Sequence, residues 1–263
     1  MRKPLCVVPC YNEQINLPAL FADIKETGMT EFCDFLFVDD ASKDNTNEMI
    51  AREGFRLIRH AANKGYGGSV KTGLHFALEK KYESFVLFPG DHQRKAADAI
   101  KLLGLLNDLN CDVVVGSKFH IYSKKYGPIG RRWGNRVFSQ LAKILWRSPI
   151  VDVLSGFKAY RVATTFQYLD KSPSGYPMDI VFNMYASIYG LRQAEVPVAC
   201  RYDQHTTKMK SIIYVCIKML IATIVHYIKE LPAPLMIQLR KHQPKYVNID
   251  VIEKNRAVEA QFR

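Results

Sequence analysis

Asp91 and Gln93 are the residues whose types and spacing best suit chemistry. They follow four apolar residues, 85–88, and the pair Pro89-Gly90 in the stretch FVLFPGDHQ. The aromatic and branched run reads as a short buried strand that Pro89 ends, and Gly90 then lets the backbone come close to a ligand. Side chains two apart in an extended segment face the same way, so Asp91 and Gln93 would offer oxygens to one point. Such donors suit a hard cation, Mg²⁺ or Mn²⁺, above all where phosphate completes the shell. Taken alone, the stretch also fits a plain strand-to-helix turn with Asp91 as the cap.

Two other apolar runs end in the same style. Residues 5–8 stop at Pro9 and deliver Tyr11, Asn12 and Glu13, and residues 35–38 close on Asp39-Asp40-Ala41-Ser42. Adjacent carboxylates repel unless a donor or cation sits nearby. Around these strands the apolar spacing is helical. Leu17, Leu20, Phe21 and Ile24 mark one helix, Met49 and Ile50 another that opens on an Asn45–Glu48 capping box, and residues 69–80 and 96–109 two more. Residues 55–58 and 112–116 add strands. This alternation implies an α/β fold, a Rossmann-like, mostly parallel sheet with helices on both faces. Ligands bind such sheets beyond the carboxyl ends of the strands. PCYNE, DDAS and PGDHQ would therefore share a nucleotide site, with Asp39 or Asp40 accepting from a base or ribose and Asp91 holding a metal-bound diphosphate.

The glycine-rich stretch NKGYGGSVKTG, 63–73, is neither a P-loop nor a dinucleotide fingerprint, because Val70 stands where each needs a glycine. It either cups a nucleotide at a helix start, with Lys64 beside it, or is a tight turn into a helix.

At 263 residues the chain suits one large domain or two small ones, and 48% apolar with 24% charged residues is a globular composition. The formal charge of +12 suggests an acidic partner: nucleotide, phosphorylated substrate, anionic membrane or nucleic acid. No nucleic-acid-binding module or basic–aromatic platform is recognisable, so no specific nucleic acid is expected. The six cysteines lack CxxC or zinc spacing, and the N-terminal apolar run is too short for a signal peptide. Reduced thiols and a cytoplasmic location follow as expectations.

Later in the chain, Lys118, Lys124, Lys125, Arg131 and Arg132 fall among glycines and aromatics as a basic loop. Residues 135–145 are helical, 151–161 set Asp152 before a Ser-Gly turn, and another helix begins near Asp179 and ends by Gly190. Glu195-Val196-Pro197-Val198 reads as an edge strand leading to a second basic loop with His205 and Lys208. Residues 212–228 form the longest apolar run, interrupted by Lys218 and His226. It is slightly short of a bilayer span. It fits either a helix on the membrane surface or one buried against the domain or in a dimer. The expected division is a catalytic domain over 1–210 and an apolar helix with a polar tail over 211–263.

VPCYNE, FVDDASKDNT, NKGYGGSVKTG, PGDHQ, DVLSGFKAYR and EVPV with its basic loop occur in an order that resembles glycosyltransferase family 2 of the GT-A fold. Over residues 5–210 the chain is most similar to the dolichyl- and polyprenyl-phosphate sugar synthases. That resemblance implies metal-dependent, inverting hexosyl transfer from a nucleotide-diphosphate sugar, with polyprenyl phosphate the first choice of acceptor. A hydroxyl of a cell-surface glycan precursor is the alternative, and a non-catalytic nucleotide-sugar-binding protein a third reading. By resemblance, Pro9, Tyr11, Glu13, Asp39, Asp40 and Lys64 line the nucleoside pocket, and Asp91 and Gln93 bind Mg²⁺ or Mn²⁺ and the donor diphosphate. Lys118, Arg131, Arg132, His205 and Lys208 would meet phosphates, with His205 equally readable as a surface histidine. Asp152 would be the base for a hydroxyl acceptor, whereas an anionic phosphate needs none. Two places depart from the family pattern. Pro89 stands where an aspartate would complete a DxD, and His205 and Lys208 replace the usual arginine of the late loop. The inner face of the cell membrane is an expected location, and a homo-oligomer is left open.

Overall fold

The computed structural model describes residues 2–118, 129–201, 212–230 and 246–247, without the side chains of 129–133, 212, 213 and 247. Its strands are β1 (Leu5–Cys10), β2 (Asp34–Asp39), β3 (Arg56–Arg59), β4 (Ser84–Leu87), β5 (Val113–Ser117), β6 (Lys158–Arg161), β7 (Gln193–Pro197) and β8 (Tyr246–Val247). The helices are α1 (Leu17–Glu26), α2 (Met29–Phe32), α3 (Thr46–Arg52), α4 (Tyr66–Glu79), α5 (Ala96–Asp108), α6 (Ile129–Trp146), α7 (Val162–Lys171), α8 (Met178–Ile188) and α9 (Ile212–Lys229). The strands form one sheet in the order β3-β2-β1-β4-β6-β5-β7-β8. Neighbours run parallel except at β6, which is antiparallel to β4 and to β5.

Both faces of the sheet are covered, and the strand sequences show why. A strand turns alternate side chains to opposite faces, and in β1 the residues from Leu5 to Val8 are apolar and fully buried on both. Leu5 and Val7 join the core under α4, α6, α7, α8 and α9, while Cys6 and Val8 join the core under α1, α2, α3 and α5. Continuous apolar runs of this kind are the mark of strands buried on two sides. The mostly parallel sheet with helices on both faces is thus the observed architecture.

Two local expectations are corrected. Asn45 precedes α3 without a side-chain capping bond. The Asn45 N–H instead donates to Gln14 Oε1 of a neighbouring loop, and the Thr46 N–H to Asp44 Oδ1 just upstream. β7 is not an edge strand, because β8 pairs with it at Gln193 and Ala194, leaving Pro197 beyond the stretch that β8 covers. Two residues carry no periodic signal, so β8 could not be read from the sequence. The 212–228 run is a helix that does pack inward, on α6 and α8. Met219 is in the core, Tyr227 Oη donates to Leu145 O, and Tyr185 Oη and His226 Nδ1 lie 2.9 Å apart.

Candidate active site

The carboxyl ends of β1, β2 and β4 are tied together by backbone contacts. The Gly90 N–H donates to Pro9 O at 3.2 Å, and the Asp40 N–H donates to Cys10 O at 2.9 Å. A side chain at position 90 would not fit, since a Cβ there would stand 2.6 Å from Cys10 Sγ. This is the close approach that Gly90 permits. PCYNE, DDAS and PGDHQ therefore lie side by side, Pro9 at the centre. Asn12, at φ 53, donates its N–H to Ser42 Oγ, and Glu13 donates its N–H to Thr46 Oγ1. Glu13 is buried and accepts from Asn16 Nδ2 at 2.6 Å, and Tyr11 is half-buried beside it.

The repulsion anticipated between Asp39 and Asp40 is relieved by giving each its own donors. Asp39 accepts the Ser42 N–H, and Arg59 Nε lies 3.3 Å from its other oxygen. Asp40 accepts the N–H groups of Lys64 and Gly65 at 2.8 Å each. His60 adds Nδ1 at 2.7 Å from Asp40 and is anchored by Thr72 Oγ1 at 2.8 Å from its Nε2. Both Asp40 oxygens are thus engaged in pinning the glycine-rich turn, rather than standing open toward a base or ribose. The turn is also held from the far side. The Gly68 N–H donates to Ser174 O, and a Cβ on Gly67 would stand 2.7 Å from Pro173 O. NKGYGGSVKTG makes a tight turn into α4, and Lys64 is exposed on it.

The extended segment expected from Asp91 to Gln93 is not what the structure has. His92 adopts φ 52, so the segment turns instead of extending, and the Gln93 N–H donates to Asp91 Oδ1 at 3.1 Å. Gln93 is drawn toward the end of β7, where its backbone oxygen accepts the Arg201 N–H and its side-chain oxygen lies 3.7 Å from Cys200 Sγ. Asp91 is the carboxylate of this turn. Among the described residues no group of three or more His, Cys, Asp or Glu could hold a metal. One carboxylate still fits Mg²⁺ or Mn²⁺ when substrate phosphates and waters supply the remaining ligands, as such cations commonly require.

Tyr66, at the start of α4, links this edge to a second cluster. Its hydroxyl donates to Gly156 O at 3.1 Å in the Ser-Gly turn. Burial, then the charges of Asp179, Tyr160 and Asp91, push the Tyr66 phenol well above the usual range. Asp91 and Asp179 therefore lie within electrostatic reach of the same hydroxyl. Lys158 Nζ donates to Asp179 Oδ1 at 2.6 Å. Burial raises the Asp179 carboxyl, with Lys158 and Lys118 pulling it down and Asp152 pushing it up. Asp152 is fully buried, accepts the Lys118 N–H at its Oδ2, and has an Oδ1 with no hydrogen-bond partner among the described residues. Glu195 on β7 accepts the N–H groups of both Val151 and Asp152 at 2.8 Å. Burial pushes its carboxyl up to about 7 against those two bonds.

The structure thus joins Pro9, Tyr11, Glu13, Asp39, Asp40 and Asp91 along one edge, with Lys118 and Asp152 next to them through Tyr66 and Asp179. Arg131 and Arg132 lie in α6, but their side chains are outside the described residues, as are His205 and Lys208. Tyr66, His60, Lys158 and Glu195 were missed as site residues. The usable signal for Glu195 was a lone charge among the strand residues of β7, since such a charge is buried only with a partner.

The sequence model of Glycosyl transferase family 2 matches residues 5–165. The polyprenol monophosphomannose synthase of Mycolicibacterium smegmatis is 27% identical over 75% of this chain and 77% of its own length. The UDP-N-acetylglucosamine–dolichyl-phosphate N-acetylglucosaminyltransferase of Methanococcus voltae is 26% identical over 59% of this chain and 67% of its own. Among solved structures, glucosyl-3-phosphoglycerate synthase from Mycobacterium tuberculosis, bound to Mn²⁺, UDP and glucosyl-3-phosphoglycerate, superposes with a TM-score of 0.64. It is 15% identical and the match covers 86% of this chain and 80% of that one, a likeness of fold.

Proposed function

The chain belongs to glycosyltransferase family 2, and from that premise we propose that it moves a hexosyl group from a nucleotide-diphosphate sugar to a polyprenyl phosphate. The observation that carries the choice of acceptor is the state of Asp179. It is buried and paired at 2.6 Å with Lys158, with Lys118 also acting on it. A hydroxyl acceptor needs a base to take its proton, whereas a phosphate is already anionic at neutral pH. A carboxylate committed to lysine, with a second lysine near, suits receiving an anion better than removing a proton. Relatives named for dolichyl-phosphate and polyprenol-phosphate chemistry support the same reading.

Asp91 would hold the Mg²⁺ or Mn²⁺ together with the donor diphosphate, and the cation would neutralise charge as that leaving group departs. The protein's own part is positional. Asp40 and His60 hold the 64–65 turn, the turn places Tyr66 over Gly156, and Glu195 fixes the Val151–Asp152 backbone from which Asp152 holds the end of β5. Attack from the face opposite the diphosphate would invert the sugar.

The test is Mn²⁺-dependent transfer from a panel of nucleotide sugars to short-chain polyprenyl phosphate and to the corresponding polyprenol. Product with the phosphate alone is expected, and product with the alcohol alone would remove the reading. Binding of nucleotide sugar with neither transfer nor hydrolysis would mark a binding protein. The unpartnered Asp152 Oδ1 favours one second reading, a hydroxyl of a glycan precursor with Asp152 as base. Asp152→Asn should then depress hydroxyl transfer far more than phosphate transfer, and equal losses would set that reading aside.

A further inference from the structure

α9 has two faces of different fate. Its inner face packs on α6 and α8 through Met219, Tyr227 and His226. Its outer face presents Ile217, Leu220, Ile221, Ile224, Val225 and Ile228, between 41% and 61% exposed. Their spacing places them on one side of the helix. From Ile217 to Ile228 the stripe covers three turns of the helix, about 17 Å at 1.5 Å per residue. Exposed apolar surface of this extent marks an interaction site.

The neighbouring helix extends the same chemistry. A Cβ on Gly134 would stand 3.9 Å from Cys216 Sγ, and Leu145 O accepts from Tyr227. The contact advances equally along both chains, so α6 and α9 run side by side in the same direction. α6 leaves Val137 and Ile144 exposed. Neither helix contains an Asp or Glu. α6 carries Arg131, Arg132, Arg136 and Lys143, and α9 carries Lys218 and Lys229. Tyr185 meets His226 and Tyr189 meets Glu230, so α9 also runs alongside α8 in the same direction. By that register the end of α8 that bears Asp179 lies level with Leu220, at the middle of α9.

We propose that the outer face of α9, with the basic flank of α6, docks on the surface of an anionic lipid bilayer. Among the described residues no helix is long and apolar enough to cross a membrane, so the contact is with the surface. A helix that buries an apolar face at the headgroup boundary and offers cations to anionic lipid binds in this manner. Charge decides against a second copy as the occupant. A two-fold contact sets the same patch against itself, and here it would oppose two basic, acid-free surfaces. An anionic headgroup layer neutralises them instead. The docking goes beyond the acceptor reading and stands whether or not the acceptor is a lipid.

The full chain is tested by flotation with phosphatidylcholine vesicles, and with vesicles containing about one third phosphatidylglycerol to raise the surface charge. The parent should float with the anionic vesicles and release as salt is raised. Ile221→Gln/Ile224→Gln/Ile228→Gln, at exposed positions, should keep the parent's melting temperature and lose about tenfold or more of the vesicle binding. A parent that stays soluble beside anionic vesicles at low salt would overturn the proposal. So would a triple variant that floats like the parent, or a parent that is a dimer by light scattering, split by those substitutions, with no vesicle binding.

Discussion

Lys158 and Asp179 meet at 2.6 Å with side chains 2% and 10% exposed. Removing one partner of a buried pair strands the other's charge, which typically costs about 3–5 kcal/mol, whereas replacing both with apolar groups is often near neutral. Lys158→Met should therefore lower the unfolding free energy by about that amount, and Lys158→Met/Asp179→Leu should recover most of it. Urea unfolding of the set decides the matter. A double variant no better than the single would mean that the pair's hydrogen bonds, rather than the stranded charge, set the cost.

Asp91→Ala should leave the fold intact while cutting transfer by about a hundred- to thousandfold, the usual effect of removing one group that stabilises a leaving anion. The variant should also lose the Mn²⁺-dependent thermal stabilisation that a nucleoside diphosphate confers on the parent. An unchanged Mn²⁺-dependent shift would take Asp91 out of the cation site.

Asp40→Asn keeps the shape of the side chain but leaves only one acceptor oxygen for the Lys64 and Gly65 amides. One buried donor would be orphaned, a cost of about 1–3 kcal/mol. Because the turn places Tyr66, KM for the donor should rise severalfold more than kcat falls. Unchanged stability together with a purely kcat effect would show that Asp40 touches substrate rather than the loop.

Glu195 sets a pH dependence whose sign follows from its environment. Its carboxyl rises from the ordinary 4.5 to about 7 in the folded chain. The folded state then holds the proton more tightly, so this group's contribution to stability falls as pH rises from about 4.5 to 7. The span corresponds to roughly 3 kcal/mol. Glu195→Gln cannot ionise but loses one of two acceptors, so it should be less stable than the parent at pH 5. That deficit should shrink by roughly 3 kcal/mol by pH 8. A pH-independent difference between the two proteins would place the ionisation elsewhere.

How far the sequence spoke for the fold differs by residue. Leu5 to Val8 and Val113 to Val115 announced buried strands, because a strand sandwiched between helices must be apolar on both sides. The grouping of Pro9, Asp40 and Asp91 was legible too, since parallel strands place their ends on one edge. What was not legible depended on a single backbone angle or a distant partner. His92 at φ 52 turns the segment between Asp91 and Gln93, and the neighbours of a Gly90-Asp91 turn do not specify that rotation. His60 and Tyr66 owe their roles to Asp40, Thr72 and Gly156, residues brought to them by tertiary packing. Asp39 and Asp40 look equivalent in sequence, yet one is matched with Arg59 and the other with backbone amides.

The seating of Gly67 and Gly68 against 173–174 has a consequence for how the chain acquires its shape. α4 reads YGGSVKTGLHFALE, and each interior glycine costs a helix about 1 kcal/mol relative to alanine. Left to itself, such a segment would spend little time helical. It must be stabilised by a turn about a hundred residues downstream, so ordering of the N-terminal wall waits for synthesis of the second half. Nascent chains halted ahead of that turn would carry the first strands but leave this wall unformed.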